Sequence, residues 1–239
     1  MNLDRAPLYA RAEAELRAHI AGGRWKPGTP LPTEPALAAE LGISQGTLRR
    51  ALAALERQRL IERRQGVGTY VAEATSERAL FHFFRAQAPD GSRPTPTSRV
   101  EEFVSRPSEP AEAALLGIAS GEPVYVLRRL RLVSGKPAIA ESIVIPALCF
   151  PGFKLPLGVE LTDELYVLYQ RRHGITVTRV EERLTAIASP PDITAALGCH
   201  AGAPLLRIER VAFDLLNRAV ELRWSWMETE RLRYAITLT

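Results

Sequence analysis

Six arginines lie between positions 49 and 64: Arg49, Arg50, Arg57, Arg59, Arg63 and Arg64. A guanidinium stays charged at any physiological pH and presents a planar fork of donors, so together these groups can hold a polyanion such as a phosphate backbone. Just ahead of them, Ser44, Gln45, Gly46 and Thr47 combine short hydrogen-bonding side chains with a position that has no bulk. That is the chemistry of close approach to base edges, with glutamine suited to adenine. Residues 1–72 hold 11 Lys+Arg against 7 Asp+Glu, whereas residues 73–239 hold 20 against 20, so the whole excess of +4 sits in the N-terminal third. Nothing comparable exists for making or breaking bonds. His19, His82, His173 and His200 are scattered, Cys149 and Cys199 have no histidine motif near them, and neither a metal-ligand spacing nor a phosphate loop occurs. No catalytic residue, metal or cofactor is therefore expected.

The elements that position the basic residues follow from apolar spacing. Leu8, Ala12, Leu16 and Ile20 recur every four residues and predict a one-faced helix stopped by Gly22-Gly23. After the turn-rich stretch 24–34, Thr33 is placed to cap a short second helix near 34–41, with Pro35 in its first turn and Gly42 at its end. Ser44 caps a third helix almost at once, which is the spacing of a helix-turn-helix. On that helix Leu48, Leu52 and Leu55 share one face, while Gly46, Arg49, Arg50, Ala53 and Arg57 point the other way. Two short strands around Gln65-Gly66 then predict a hairpin able to serve as a wing. Each part alone has a plain structural reading, but their order and the local charge together point to DNA.

Composition bounds the remainder. A chain of 239 residues, 46% hydrophobic, suits a small domain plus a medium one. No run approaches the roughly 18 apolar residues of a membrane span, the N-terminus lacks the apolar core of a signal peptide, and two cysteines give no disulfide framework. The expected setting is cytoplasmic, without a membrane partner. The boundaries predicted are 1–72 for the winged helix-turn-helix, 73–79 for a linker and 80–239 for a second, α+β domain. Within the latter, residues 114–133 align with 195–214 at an offset of 81, matching Gly117, Gly121, Pro123 and Arg129 to Gly198, Gly202, Pro204 and Arg210. Each copy reads as helix, Gly-x-Pro turn, strand and hairpin. Two copies predict a pseudo-symmetric domain with a cleft between its halves.

Residues 7–72, above all "LPTEPALAAELGISQGTLRRALAALERQRLIERRQGVGTYV", resemble the winged-helix domain of the GntR family of bacterial transcription regulators. The chain keeps that pattern at Leu31, Pro32, Glu34, Ser44, Thr47, Arg49 and Gly66, and departs from it at Pro35 and Gln45, where the family has arginines, and at Gly46, where it has threonine. The resemblance implies DNA contact through Glu34, Ser44, Gln45, Gly46, Thr47, Arg49, Arg50, Gln65 and Gly66. Most of 78–239 resembles the UTRA effector-binding domain of the HutC-like branch, whose fold is like chorismate lyase and which usually dimerises. It implies a homodimer that is not an enzyme but a repressor, acting on a pseudo-palindromic operator and controlled by a small metabolite bound in the C-terminal domain.

Effector contacts implied by the resemblance fall on Arg129, Arg131 and Glu141, on the helix start Glu164-Leu165-Tyr166, and on the penultimate strand. Strand alternation sets Glu221 and Arg223 on one face, opposite Leu222, Trp224 and Trp226. His82, within "LFHFF" (80–84), completes the candidate set as a wall of the site. Relatives that bind sugar phosphates carry a hydroxyl where Glu164 stands, and a phosphate beside a carboxylate is repelled. An organic acid or zwitterion suits the mixture of arginines and glutamates better. The alternative is that these charges simply pair with one another. An enzyme tethered to DNA and an architectural DNA binder are the competing functions, and neither accounts for a neutral repeat domain without catalytic spacing.

Overall fold

The computed structural model describes residues 6–75, 77 and 83–237. The N-terminal unit contains α1 (Leu8–Ala21), α2 (Glu34–Glu40), α3 (Gln45–Arg57), β1 (Ile61–Arg64) and β2 (Gly68–Val71). Ala12, Leu16 and Ile20 of α1 meet Leu48, Leu52 and Leu55 of α3 in one core. Burying each such leucine contributes roughly 1.5–3 kcal/mol, which is what holds three short helices together. Leu8 departs from the expected stripe: at 58% exposure it lies outside that core, because α1 begins there and has nothing to pack on. Thr33 stands at the start of α2 but its side chain makes no capping bond, and Pro35 in the first turn removes one amide that would need it. Ser44 does cap α3, accepting from the Thr47 amide at 3.2 Å. β1 and β2 pair antiparallel from Ile61 with Val71 to Arg64 with Gly68. Gly66, at φ +71°, supplies the left-handed residue that turns the chain between them.

The second unit is a seven-stranded sheet in the order β7-β4-β5-β6-β10-β9-β8. Its strands are β4 (Thr97–Pro107), β5 (Pro123–Val133), β6 (Lys136–Pro146), β7 (Glu160–Leu161), β8 (Val177–Ala188), β9 (Pro204–Asp214) and β10 (Ala219–Glu228). The repeat is realised in full. Strand β4, helix α4 (Pro110–Leu116) and hairpin β5–β6 match β8, helix α6 (Pro191–Leu197) and hairpin β9–β10. The halves meet where β6 and β10 pair antiparallel. Gly117 and Gly198 end the two helices in the same left-handed conformation, both at φ +67°. Each repeat helix packs on the other half's central strand, α4 on β10 and α6 on β6, so neither half can close its core alone.

Helix α5 (Leu165–His173) covers the opposite face. Its residues Leu165, Tyr166, Leu168 and Tyr169 join Leu127, Ile143, Phe150 and Phe153 in an apolar cluster. His173, in the last turn of α5, packs its ring edge-on against Phe150 and Phe153 at centroid distances of 5.4 and 5.5 Å. A second small cluster on the same face holds Ala86, Ile139, Met227 and Leu232. It lies under a ribbon made by β3 (Ala86–Gln87) and β11 (Arg233–Tyr234). Between the two apolar clusters the sheet presents its charged residues.

Candidate nucleic-acid interface and effector site

The N-terminal face carries an exposed row. Gln45, Gly46, Arg49 and Arg50 on α3 and Gln65 and Gly66 at the wing tip are all exposed, and Thr47 is half-buried. Gly46 has ordinary helical geometry, and a Cβ there would meet only Ser44 Oγ at 3.9 Å. It therefore leaves surface relief rather than relieving strain. Glu34 is tied to the recognition surface from α2: Arg49 Nε donates to its Oε2 at 2.7 Å, and Arg63 from the wing strand stands 3.8 Å from its Oε1. The Arg49 side chain nonetheless stays 64% exposed. Arg50 lies over the Tyr9 ring at 4.5 Å, so part of its surface is spent on packing. Ser44 is occupied with capping, and its hydroxyl meets that of Thr47 at 2.9 Å.

The second group of predicted residues converges in three dimensions. Along β5, β6 and β10, alternation points Arg129, Arg131, Glu141, Glu221, Arg223 and Ser225 to the α5 face. Arg129 and Arg131 are each only 2% exposed and Glu221 is fully buried. They do not share a single anion. Arg129 pairs with Glu141, which lies directly opposite it in register and also receives Arg223 Nη1 at 3.3 Å and Ser225 Oγ at 3.2 Å. Arg131 donates twice to Glu164, at 2.7 and 2.8 Å, and its guanidinium sits 5.0 Å from the Phe84 ring. Arg223 donates twice to Glu221, which accepts from the hydroxyls of Tyr166 and Tyr169 at 3.0 and 2.8 Å. His82 lies outside the described residues.

Tyr169, Ser225, Arg210, Glu182 and Tyr234 escaped the sequence reading. Arg210 donates to Glu182 and to the Phe83 carbonyl, and Tyr234 donates to the other oxygen of Glu182. The signal for Arg210 was available, since the repeat aligned it with Arg129. With it the cluster counts four arginines (Arg129, Arg131, Arg210, Arg223) against four glutamates (Glu141, Glu164, Glu182, Glu221), a formal balance.

Burial works against every one of these charges, and their partners decide the outcome. Burial would raise the Glu141 carboxyl, but Arg129, Arg223 and Arg131 hold it well below the usual carboxylate range. Burial pulls Arg129 down, with Glu141 opposing. Burial pulls on Arg223 too, but Glu221 and Glu141 overcome it and keep its pKa high. Burial, assisted by Glu221, pushes the Tyr166 hydroxyl up to about 12. Glu141 and Arg223 therefore stay ionised, and Tyr166 stays a hydrogen-bond donor. Among the described residues two of the network's donors have no acceptor, Arg129 Nη2 and Arg131 Nε. Arg131 lines a cavity of about 50 Å³ together with Glu141, Glu164, Tyr166, Arg210 and Arg223, roofed by Phe84 and Tyr234, whereas Arg129 lies outside its lining.

A winged helix-turn-helix with an outward basic face, joined to a separate domain that buries an ionic centre, is the build of a ligand-controlled transcription regulator. This chain belongs to the GntR family of bacterial regulators, in its HutC-like branch with a UTRA domain. The model of bacterial regulatory proteins of the gntR family matches residues 8–71, and that of the UTRA domain matches 92–233. The HTH-type transcriptional regulator SmoD of Agrobacterium fabrum is 30% identical, over 95% of this chain and 94% of that one. The histidine utilization repressor of Pseudomonas putida is 30% identical, over 86% of this chain and 82% of that one. The crystal structure of PhnF from Mycobacterium smegmatis aligns with a TM-score of 0.56 at 25% identity, over 95% and 99% of the two chains. A regulator that binds operator DNA and takes a small molecule in its UTRA domain is the function these relationships carry. No helix of the described residues is long and apolar enough to cross a membrane.

Proposed function

We propose that the chain is a repressor that binds a pseudo-palindromic operator as a homodimer and is released by a small organic acid or zwitterion held in the Arg131–Glu164 cluster. The observation that carries the effector assignment is the buried Arg131 Nε, without an acceptor among the described residues, on an arginine that lines a cavity. Buried donors left unpaired cost free energy that an incoming acceptor recovers. A cavity of about 50 Å³ takes a few waters but no metabolite, so a ligand has to part the Arg131–Glu164 pair or lift the Phe84–Tyr234 roof. Binding is then tied to a change of shape, as a regulator requires.

Because the cluster is balanced, an anion that displaces Glu164 from Arg131 leaves a buried carboxylate seeking a donor. A ligand carrying its own ammonium or hydroxyl supplies one. A bare phosphate does not. The relative named for histidine utilization is in keeping with an amino-acid-like effector class. On the DNA side, Gln45, Thr47, Arg49 and Arg50 read and hold the duplex, Gly46 lets it approach, Gln65 and Gly66 form the wing contact, and Glu34 and Ser44 set the geometry. A dimer fits because one winged helix makes few contacts and two-fold symmetry doubles them.

A thermal-shift screen of metabolites followed by operator-release assays tests the reading. Amino or hydroxy acids should raise the melting temperature and release DNA unchanged themselves. Stabilisation only by phosphorylated sugars would overturn the ligand class, and chemical conversion of a hit would overturn the regulator reading of the site.

A further inference from the structure

The helix that borders the ionic cluster also touches the connector to the DNA-binding unit. Glu164 is the N-cap residue of α5, and its carboxylate is held by Arg131 rather than by its own helix. One turn and a half further on, Gln170 is 4% exposed. Its Oε1 accepts from the Ala74 amide at 2.6 Å, and its Nε2 donates to Thr176 Oγ1 at 2.9 Å and reaches the Ala72 carbonyl at 3.5 Å. Residues 72–75 carry no regular structure; the Ala72 amide donates to the Leu60 carbonyl at 2.9 Å, and Gln170 partners the Ala72 carbonyl and the Ala74 amide. Everything between the two ends, Leu165 to Gln170, is buried. A packed helix moves as a unit, and the two ends lie about 9 Å apart at 1.5 Å per residue.

We infer that Gln170 is the positioning residue that passes the state of the cluster to the DNA-binding unit, by gripping the connector backbone at Ala72 and Ala74. When Glu164 leaves Arg131 the start of α5 loses its anchor, α5 shifts, and Gln170 releases the Ala74 amide. The connector then gains freedom and the winged helix its alternative orientation. A second contact, Leu215 from the β9–β10 turn, is buried in the core of the N-terminal unit and stays in place. The units thus pivot rather than separate. This inference rests on the cluster being the effector site, and its test needs no ligand, because Glu164→Ala removes the same anchor that an incoming anion would displace.

The measurement is hydrogen exchange at the Ala74 amide in the full chain, with α1 amides as internal reference. Gln170→Leu should speed exchange about tenfold, the effect of losing one buried hydrogen bond. Glu164→Ala should speed it too, and the double variant should exchange no faster than Gln170→Leu alone. If Gln170→Leu fails to fold, Thr176→Val, which removes the bond orienting the amide, replaces it. Wild-type exchange at Ala74 in Glu164→Ala, or effects of the two substitutions that multiply, would overturn the inference. Failure of the metabolite screen, by contrast, strikes the effector reading alone.

Discussion

Arg131 and Glu164, 33 positions apart in sequence, meet through two parallel hydrogen bonds of 2.7 and 2.8 Å, with side-chain exposures of 3% and 12%. The pair lines the cavity of the ionic cluster, and the ligand binding and domain coupling proposed above both run through it. Removing one partner of a buried pair strands the other, at a cost of about 3–5 kcal/mol. Arg131→Ala should therefore destabilise the second unit by about that amount in urea unfolding. Glu164→Gln should cost less, because the amide oxygen still accepts from the guanidinium. Equal losses from the two substitutions would contradict the pairing.

Acid should loosen the same centre through Glu141. Its folded pKa lies below its ordinary value of 4.5, so the stabilisation is fully present above about pH 4.5 and is lost as pH falls through the depressed folded value. Stability measured from pH 6 to 3 should fall on the acid side, and Glu141→Gln should flatten that fall. An unchanged slope in the variant would assign the acid sensitivity elsewhere.

Arg49→Ala should weaken operator binding by about 1–3 kcal/mol and leave folding intact, since Arg49 is exposed and makes no core contact. Glu34→Gln frees the Arg49 Nε from its anchor and should weaken binding less. Fluorescence titration on an operator duplex separates the two, and an unchanged affinity in Arg49→Ala would reject the docking of α3.

Salt should act strongly. With roughly 6–10 phosphate contacts per dimer, affinity should drop about 10³–10⁵-fold between 50 and 200 mM salt. Light scattering that finds a monomer both free and on DNA would contradict the dimer.

Leu215→Ala should destabilise the N-terminal unit, although the residue belongs to the sheet domain's hairpin. A buried leucine truncated to alanine costs about 2–5 kcal/mol. Hydrogen exchange in α1 and α3 should rise while β5 and β6 are unaffected. Uniform exchange changes in both units would mean the hairpin itself had unfolded.

The elements were legible because each is declared locally. Ser44 with Leu48, Leu52 and Leu55 states where α3 begins and which face it buries, and the repeat predicts both halves of the sheet. Strand period 2 placed Glu221 and Arg223 on the face they occupy. Pairing was less legible, because Arg131 and Glu164 meet only once the strand and helix are assembled, and alternation says which face a charge takes but not which partner it finds. Glu182, Tyr234 and Leu215 fall in this class. Leu8 shows the opposite error: a periodic position can lie beyond the end of the core.

The two halves of the sheet share a framework but not its chemistry. In the first hairpin Arg129 faces Glu141, and in the second Arg210 faces Arg223. Of the two equivalent pairs across the internal axis, Arg129 and Arg210 keep their sign while Glu141 and Arg223 reverse it, and the reversed pair meets there. A duplicated pocket with like residues on both sides would accept a molecule in two orientations. On the proposed reading this one has polarity: a guest reaching the axis would meet carboxylate from one half and guanidinium from the other, and so would bind one way round.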